Sequence, residues 1–438
     1  RVRKLDYSIQ LSKLFYARFI ADGEISLFSP HDVPGLYDAF GTDSFDELYE
    51  EYERSDVPRK TIKAQELILN LLKERAETGR IYIMNIDHCN SHSSFTDKVE
   101  MSNLCQEITL PTKPVQHIDD ENGEIALCIL SAINIGKIRD VQDLETLCDL
   151  SVRSLDELID FQRYPVKAAE IATRARRSLG IGYIGLAHYL AKQGVKYDDP
   201  KAWKIVHDLT ESFQYSLIKS SVNLAKEKGA CEYSNRTKYS HGILPIDTYK
   251  KDIDEIVPNK LNHDWESLRE EVKQYGIRNS TLSAQMPSES SSVVSNATNG
   301  IEPPRGYLSI KKSKKGPLKQ IVPSYNTLKN NYTLLWDMKS NKGYINIVSV
   351  MQKFFDQGIS GNWSYNPQHY EGSEVPTSVM AQDLLTTYKY GWKTSYYQNT
   401  YDVKTDEVES DTQENQLDTL IGDIMSSDQE EVCESCAI

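Results

Sequence analysis

A chain of 438 residues with 39% hydrophobic and 26% charged residues is long enough to bury a large core, whether as one large domain or about three average ones. No apolar run approaches the roughly 18 residues that a membrane helix needs, and no charged-then-apolar leader opens the sequence, so neither a membrane span nor export is expected. The net charge of −14 is unevenly spread: residues 402–438 carry twelve acids against Lys404 alone, a net −11, leaving −3 for the rest and no basic surplus for nucleic acid.

Seven cysteines, an odd number, suit a reducing cytoplasm and thiols with chemical work rather than a disulfide scaffold. Cys89, Cys148 and Cys231 are read as packing residues. The chain opens at Arg1 rather than a methionine, already in an amphipathic helical pattern over 5–15, as though entered mid-fold. An apolar run at 24–28 predicts a strand that Ser29-Pro30 ends. Ala64, Leu67, Ile68, Leu71 and Leu72 keep helical spacing within 61–78, Gly79 stops that helix, and a short strand over 80–86 follows. Helix followed by strand is the α/β signature.

Asp87-His88-Cys89-Asn90-Ser91-His92 has metal-ligand residue types, but no further pair of ligands lies nearby at a suitable spacing, so core contacts are expected and no metal site. Asn103, Cys105 and Glu107 recur at every second position; in an extended segment they share one face and gather an amide, a thiol and a carboxylate in one small volume. Taken alone, that triplet fits an amphipathic edge strand around a buried free thiol. Residues 124–130 read as a buried strand carrying Cys128, and a helical region runs from 141 to about 179 with a break at Pro165. Gly180-Ile181-Gly182-Tyr183-Ile184-Gly185 matches the dinucleotide-binding pattern, yet a helical pattern precedes it where that motif needs a strand. Those glycines are read instead as letting a helix pack closely against the sheet.

Residues 199–279 read as mostly helical. Residues 286–292 carry a helix-start signature, Pro287 followed by Ser288, Glu289, Ser290 and Ser291, which fits an ordinary cap or an anion held on backbone N–H groups. An apolar segment at 345–357 and a helix at 379–390 follow. Tyr396-Tyr397 alone fits an ordinary strand. After 401 the composition turns to acids, Ser, Thr, Gln and Asn, a flexible tail ending in Cys433-Glu434-Ser435-Cys436. That spacing suits a reversible dithiol; a zinc half-site is the rival, without a second pair.

The runs SNLCQEITLPTKP, DENGEIALCILSAIN, QMPSESSSVVSNATNGIEPPRG and KTSYYQNT, with the final CESCAI, stand in one fixed order along the chain. In that combination the sequence resembles the carboxy-terminal portion of the large (alpha) subunit of class I, Ia-like, ribonucleotide reductase, over essentially its whole length. The resemblance implies an α/β fold for residues 1–401: the later part of a ten-stranded α/β barrel of two five-stranded half-barrels, with the radical-cysteine loop inside. Residues 402–438 would be a disordered acidic redox tail. The implied reaction is thiyl-radical reduction of ribonucleoside diphosphates to 2′-deoxyribonucleoside diphosphates, the deoxyribonucleotide supply for DNA replication.

By the same resemblance Cys105 carries the thiyl radical, Asn103 binds the sugar hydroxyls, Glu107 acts as base and Cys128 is one of two reducing thiols. Pro287, Ser288, Glu289, Ser290 and Ser291 hold the substrate diphosphate, Tyr396 and Tyr397 relay oxidising equivalents, and Cys433 and Cys436 shuttle electrons from thioredoxin or glutaredoxin. No cofactor is expected on this chain; the radical comes from a diiron-tyrosyl small subunit. The thiol that pairs with Cys128 in the family lies on an earlier strand, and no cysteine here stands before Cys89. A separate N-terminal large-subunit segment is therefore expected as partner, bringing that thiol and the nucleoside triphosphate effector site. Two rivals are a non-catalytic assembly or nucleotide-binding module of a reductase complex and a stand-alone dithiol oxidoreductase.

Overall fold

The apolar pattern alternates between a period of two and one near 3.6, and the chain folds as mixed α and β elements accordingly. The computed structural model describes residues 5–313 and 316–402. Its strands are β1 (Tyr7–Leu11), β2 (Glu24–Phe28), β3 (Arg59–Lys63), β4 (Ile81–Asn85), β5 (Ile129–Asn134), β6 (Leu179–Ile184), β7 (Leu308–Ser313), β8 (Gly316–Ile321), β9 (Trp363–Tyr365), β10 (Thr394–Ser395) and β11 (Gln398–Thr400). Cys433 and Cys436, expected from the sequence to be a tail dithiol, lie outside the described residues, as does the rest of 403–438.

One curved wall organises the molecule. β5 and β6 run parallel, from Ile129↔Leu179 to Asn134↔Ile184. Residues 281–285 lie beside β6 and residues 357–361 beside them, through the parallel bridges Ile181↔Ser283 and Gln285↔Ile359. Tyr396 N donates to Gly361 O at 2.8 Å and Trp363 N to Tyr397 O at 2.9 Å, which brings in segment 394–398. β10 pairs antiparallel with β4, and β4 pairs parallel with β1. Among the described residues no ladder joins β5 to β1. The expected ten-stranded closure is absent from them, because the two outermost strands have no further strand to bridge them.

Helices cover the wall where their caps and stripes permit. Asp199 caps helix Pro200–Lys228, its carboxylate accepting from Lys201 N at 2.8 Å with Pro200 at the first position. This helix packs on helix Val141–Phe161, burying Val206, Phe213, Leu217 and Val222 against Leu144, Cys148, Val152 and Ile159. Each such side chain contributes about 1.5–3 kcal/mol of burial. Helix Ala64–Thr78 ends, as its sequence predicts, at Gly79 in a left-handed conformation with φ +69°. Among the described residues no helix is long and apolar enough to cross a membrane.

Three expectations need correction, and one strand was not foreseen. Residues 5–15 form strand β1 and then the start of helix Lys13–Ile20, capped by Ser12, since Tyr7, Ile9 and Leu11 also satisfy a period of two. The glycine run is strand β6 itself, followed by helix Leu186–Lys192. A Cβ on Gly182 would sit 2.7 Å from Ala284 O, so the glycine lets a neighbouring strand approach rather than a helix. Cys128 stands just before β5 rather than inside a buried strand, with Leu127 and Leu130 exposed on either side. The charged strand β3, which pairs antiparallel with β2, had too little apolar signal to be read as a strand, and its residues 61–63 were read as the start of the helix over 61–78.

Candidate active site

The segment holding Asn103, Cys105 and Glu107 is a turn, not the extended strand its alternation suggested. Gln106 N donates to Asn103 O and Asn103 N to Ile108 O, each at 3.2 Å, and Gln106 takes a left-handed φ of 72°. The doubled-back chain brings Asn103 and Glu107 together: Asn103 Oδ1 accepts from Ile108 N at 3.1 Å, and the Asn103 amide hydrogen-bonds the Glu107 carboxylate.

Segment 357–361 of the wall fixes this turn in place. Gly358 N donates to Glu107 O at 2.9 Å. Ser360 Oγ lies 2.5 Å from Cys105 O and 3.2 Å from Glu107 Oε2. Approach this close requires glycine at 358, where a Cβ would meet Gln106 O at 2.5 Å. Burial raises the Glu107 carboxyl above the usual range against donors from Asn103 and Ser360. Burial likewise raises the half-buried Cys105 thiol, opposed by Tyr396 and reinforced by Glu107 and Asp6. Both groups thus hold their protons more firmly than in water.

Tyr396 and Tyr397 follow β10 and reach the same point. Tyr396 OH donates to Cys105 Sγ at 3.4 Å, and the two phenol rings lie 4.2 Å apart at their centroids. Buried Tyr82 on β4 completes a three-ring group, 4.8 Å from Tyr396 and 5.4 Å from Tyr397. Burial raises the Tyr396 and Tyr82 hydroxyls. Arg75, fully buried, donates to Tyr396 O at 2.8 Å, Tyr397 O at 3.3 Å and Ile81 O, over the Trp363 ring at 4.8 Å. Desolvation pulls its guanidinium down to about 10. Lys393, equally buried and lowered to about 7 by the same cause, donates to the carbonyls of Phe355, Asp356 and Gln357 at 3.2, 2.6 and 3.3 Å.

Cys128 reaches this assembly through Gln357, whose Nε2 lies 3.5 Å from its sulfur. Burial pushes the Cys128 thiol up to about 12 against that donor. No disulfide joins the five described cysteines. The predicted helix start appears as a short helix, Glu289–Val294; Ser288 and Ser291 donate to backbone carbonyls rather than capping it. It follows Gln285, whose N donates at 3.2 Å to Gly358 O in segment 357–361, the segment that holds the thiol turn.

The Asp87 to His92 run makes core contacts, as expected. His92 meets Thr248 Oγ1 and Gln352 O, each at 2.8 Å, His88 meets Trp392 O at 3.0 Å, and Cys89 lies 3.6 Å from Lys393 O. A second cluster of ligand types, His207, Asp208 and Glu211, is already engaged. Lys353 Nζ stands 3.3 Å from His207 Nε2, and Glu211 accepts four hydrogen bonds from Asn262, His263 and Trp265. Sequence reading missed Tyr82, Arg75, Gln357, Ser360 and Lys393. Only the two glycines of Gly358-Ile359-Ser360-Gly361 hinted at a close approach there.

The pattern of the family described as ribonucleotide reductase, barrel domain, matches residues 1–398. The chain is 59% identical to the ribonucleoside-diphosphate reductase subunit alpha of Haemophilus influenzae, over 92% of this chain and 54% of that protein. It is 53% identical to the ribonucleoside-diphosphate reductase 1 subunit alpha of Escherichia coli, over 100% of this chain and 56% of that protein. Identity to the subunit alpha of Enterobacteria phage T4 is 44%, over 94% and 55% respectively. The chain spans about half the length of the curated relatives it matches.

Proposed function

The chain belongs to the ribonucleotide reductase barrel-domain family, and from that premise we propose that it supplies the radical-bearing part of a ribonucleoside-diphosphate reductase large subunit. The observation that carries the reading is the convergence on Cys105 Sγ of a phenol, Tyr396, and of a turn holding Asn103 and Glu107. A Tyr396 oxygen radical takes the hydrogen atom of the Cys105 thiol, leaving Tyr396–OH and a thiyl sulfur. That sulfur removes hydrogen from the ribose 3′ carbon while Glu107 accepts the 3′ hydroxyl proton and Asn103 orients the hydroxyls. Loss of a proton with the electron keeps Tyr396 neutral in an interior where charge is costly. Pro287, Ser288, Glu289, Ser290 and Ser291 hold the diphosphate of the substrate.

The oxidising equivalent enters by Tyr397 from a separate small subunit bearing a diiron-tyrosyl centre. Cys128 delivers reducing equivalents with a second thiol supplied by large-subunit sequence outside these 438 residues. Residues 1–401 then act as part of a barrel that further strands complete at the β1 and β5 edges. Residues 402–438 act as a tail carrying Cys433 and Cys436 to thioredoxin or glutaredoxin, all in the cytoplasm.

Reconstitution tests the reading. The chain alone, with a radical-bearing small subunit and a dithiol, is expected to be inactive on a ribonucleoside diphosphate, and activity is expected when the N-terminal large-subunit segment is added. Full activity of the chain alone would overturn the supplied-thiol part. Inactivity of the complete mixture, with the complex formed, would favour a non-catalytic assembly role.

A further inference from the structure

Gln357 is completely buried, and its side chain spans from Thr109, just past the thiol turn, to Cys128. Its amide orientation is forced. Thr109 N–H points at Oε1 at 3.3 Å, and Leu179 O accepts from Nε2 at 3.0 Å. Flipping the amide would set N–H against N–H and oxygen against oxygen, leaving buried groups unpaired. With one Nε2 hydrogen committed to Leu179 O, the other has Cys128 Sγ before it at 3.5 Å.

The backbone of Gln357 is pinned as firmly as its side chain. Its N–H donates to Ser283 O at 3.1 Å, and its carbonyl accepts from Gln352 Nε2 at 2.9 Å and Lys393 Nζ at 3.3 Å. We propose that Gln357 is a positioning residue for Cys128, holding a fixed N–H donor on the sulfur so that the thiolate, the form that reacts with disulfides and electrophiles, is favoured in a site that otherwise opposes it. The charge acting there is the Glu107 carboxylate, which works against the thiolate; the Lys393 amine behind the Gln357 carbonyl is lowered to about 7 by burial. The catalytic importance of this contact rests on the reductive role assigned above to Cys128; the contact itself does not.

The test uses the full chain and needs no turnover. Alkylation by iodoacetamide is followed over a pH series by peptide mass spectrometry at Cys128 and Cys105, in the native chain and in Gln357→Glu and Gln357→Met. Gln357→Glu keeps an acceptor for Thr109 N–H and removes the donor; Gln357→Met removes both without adding charge and carries the test if a buried glutamate unfolds the chain. Cys128 is expected to react about 10-fold more slowly at pH 8 in both variants, about one unit of thiol pKa, with its pH midpoint raised. Cys105 is expected to stay within about twofold in Gln357→Glu, which keeps the acceptor for Thr109 N–H, and to change less than Cys128 in Gln357→Met. An unchanged or faster Cys128 in folded Gln357→Met overturns the proposal, and so does a parallel fall at both cysteines, which would report general loosening. If Cys128→Ser spares turnover in the reconstituted enzyme, the reductive role of Cys128 fails while the alkylation result stands.

Discussion

Two segments meet at the Cys105 sulfur, and different chemistry holds each. The thiol turn is held by uncharged groups: Gly358 N, Ser360 Oγ and Gln357 Oε1. The phenol segment is held by two buried basic groups, the Arg75 cation on its carbonyls and the Lys393 amine within it, and among the described residues no carboxylate pairs with either. A neutral hydrogen bond adds about 1 kcal/mol, whereas a bond from a charged donor adds roughly 1.5–3 and leaves a costly vacancy when lost. Changes around the turn should therefore alter chemistry with little loss of fold, and changes around the phenols should alter the fold.

The sharpest break in that comparison lies in the turn. Cys105→Ser in the reconstituted enzyme is expected to abolish deoxynucleotide formation with every reductant, since a hydroxyl is not a readily oxidised hydrogen donor, while the urea midpoint stays close to native. Appreciable product would remove Cys105 from the radical role. On the phenol side, Arg75→Met is expected to lower unfolding free energy by roughly 3 kcal/mol, by orphaning the carbonyls of Ile81, Tyr396 and Tyr397. A midpoint within error of native would show that the cation is not what holds this segment.

Gly358 touches both regions, because an added Cβ would lie 2.5 Å from Gln106 O and 2.9 Å from Thr394 Oγ1. Gly358→Ala should cost about 1–3 kcal/mol and displace turn and strand together. Paired chemical-shift changes on both segments by NMR would check this, and a shift on one alone would argue against a shared wedge.

The smallest expected effect belongs to Ser360→Ala. It removes about 1 kcal/mol and one donor that lowers the Glu107 carboxyl, so that carboxyl rises further. Base action needs the ionised form, and the rising limb of turnover against pH should move upward by less than about one unit. The stability sign follows. A carboxyl raised in the fold supports the fold fully below its unfolded value near 4.3, and that support fades as pH rises through the raised value. The variant widens that window on its alkaline side, and an unmoved limb would detach Ser360 from Glu107.

The legible parts of the sequence were local. The helix ended by Gly79, the helices over 200–228 and 377–389, and the Asn103, Cys105, Glu107 group all rest on neighbours within a few residues. Residues 5–15 were misread because a short apolar stretch satisfied two periods at once, and the glycine run because its neighbouring strand is more than a hundred residues away in sequence. Arg75 meets Tyr396 across 321 residues, Gln357 meets Cys128 across 229 and Ser360 meets Glu107 across 253. No periodicity encodes such pairs. The candidacy of Cys105, beside Asn103 and Glu107, was readable, while the groups that hold it were not.

The contact between Tyr396 and Cys105 spans 291 residues, and β10 joins β4 over a similar separation. Closing a loop that long costs roughly 5 kcal/mol of chain entropy before any contact repays it. A chain growing from its N-terminus can pair β1 with β4 early, but its thiol turn waits for residues 394–398 until nearly all of the described sequence has emerged. Formation of the Tyr396–Cys105 contact is thus expected to come late, and contacts of such long sequence separation form slowly. Until then the thiol loop stands without its phenol partner.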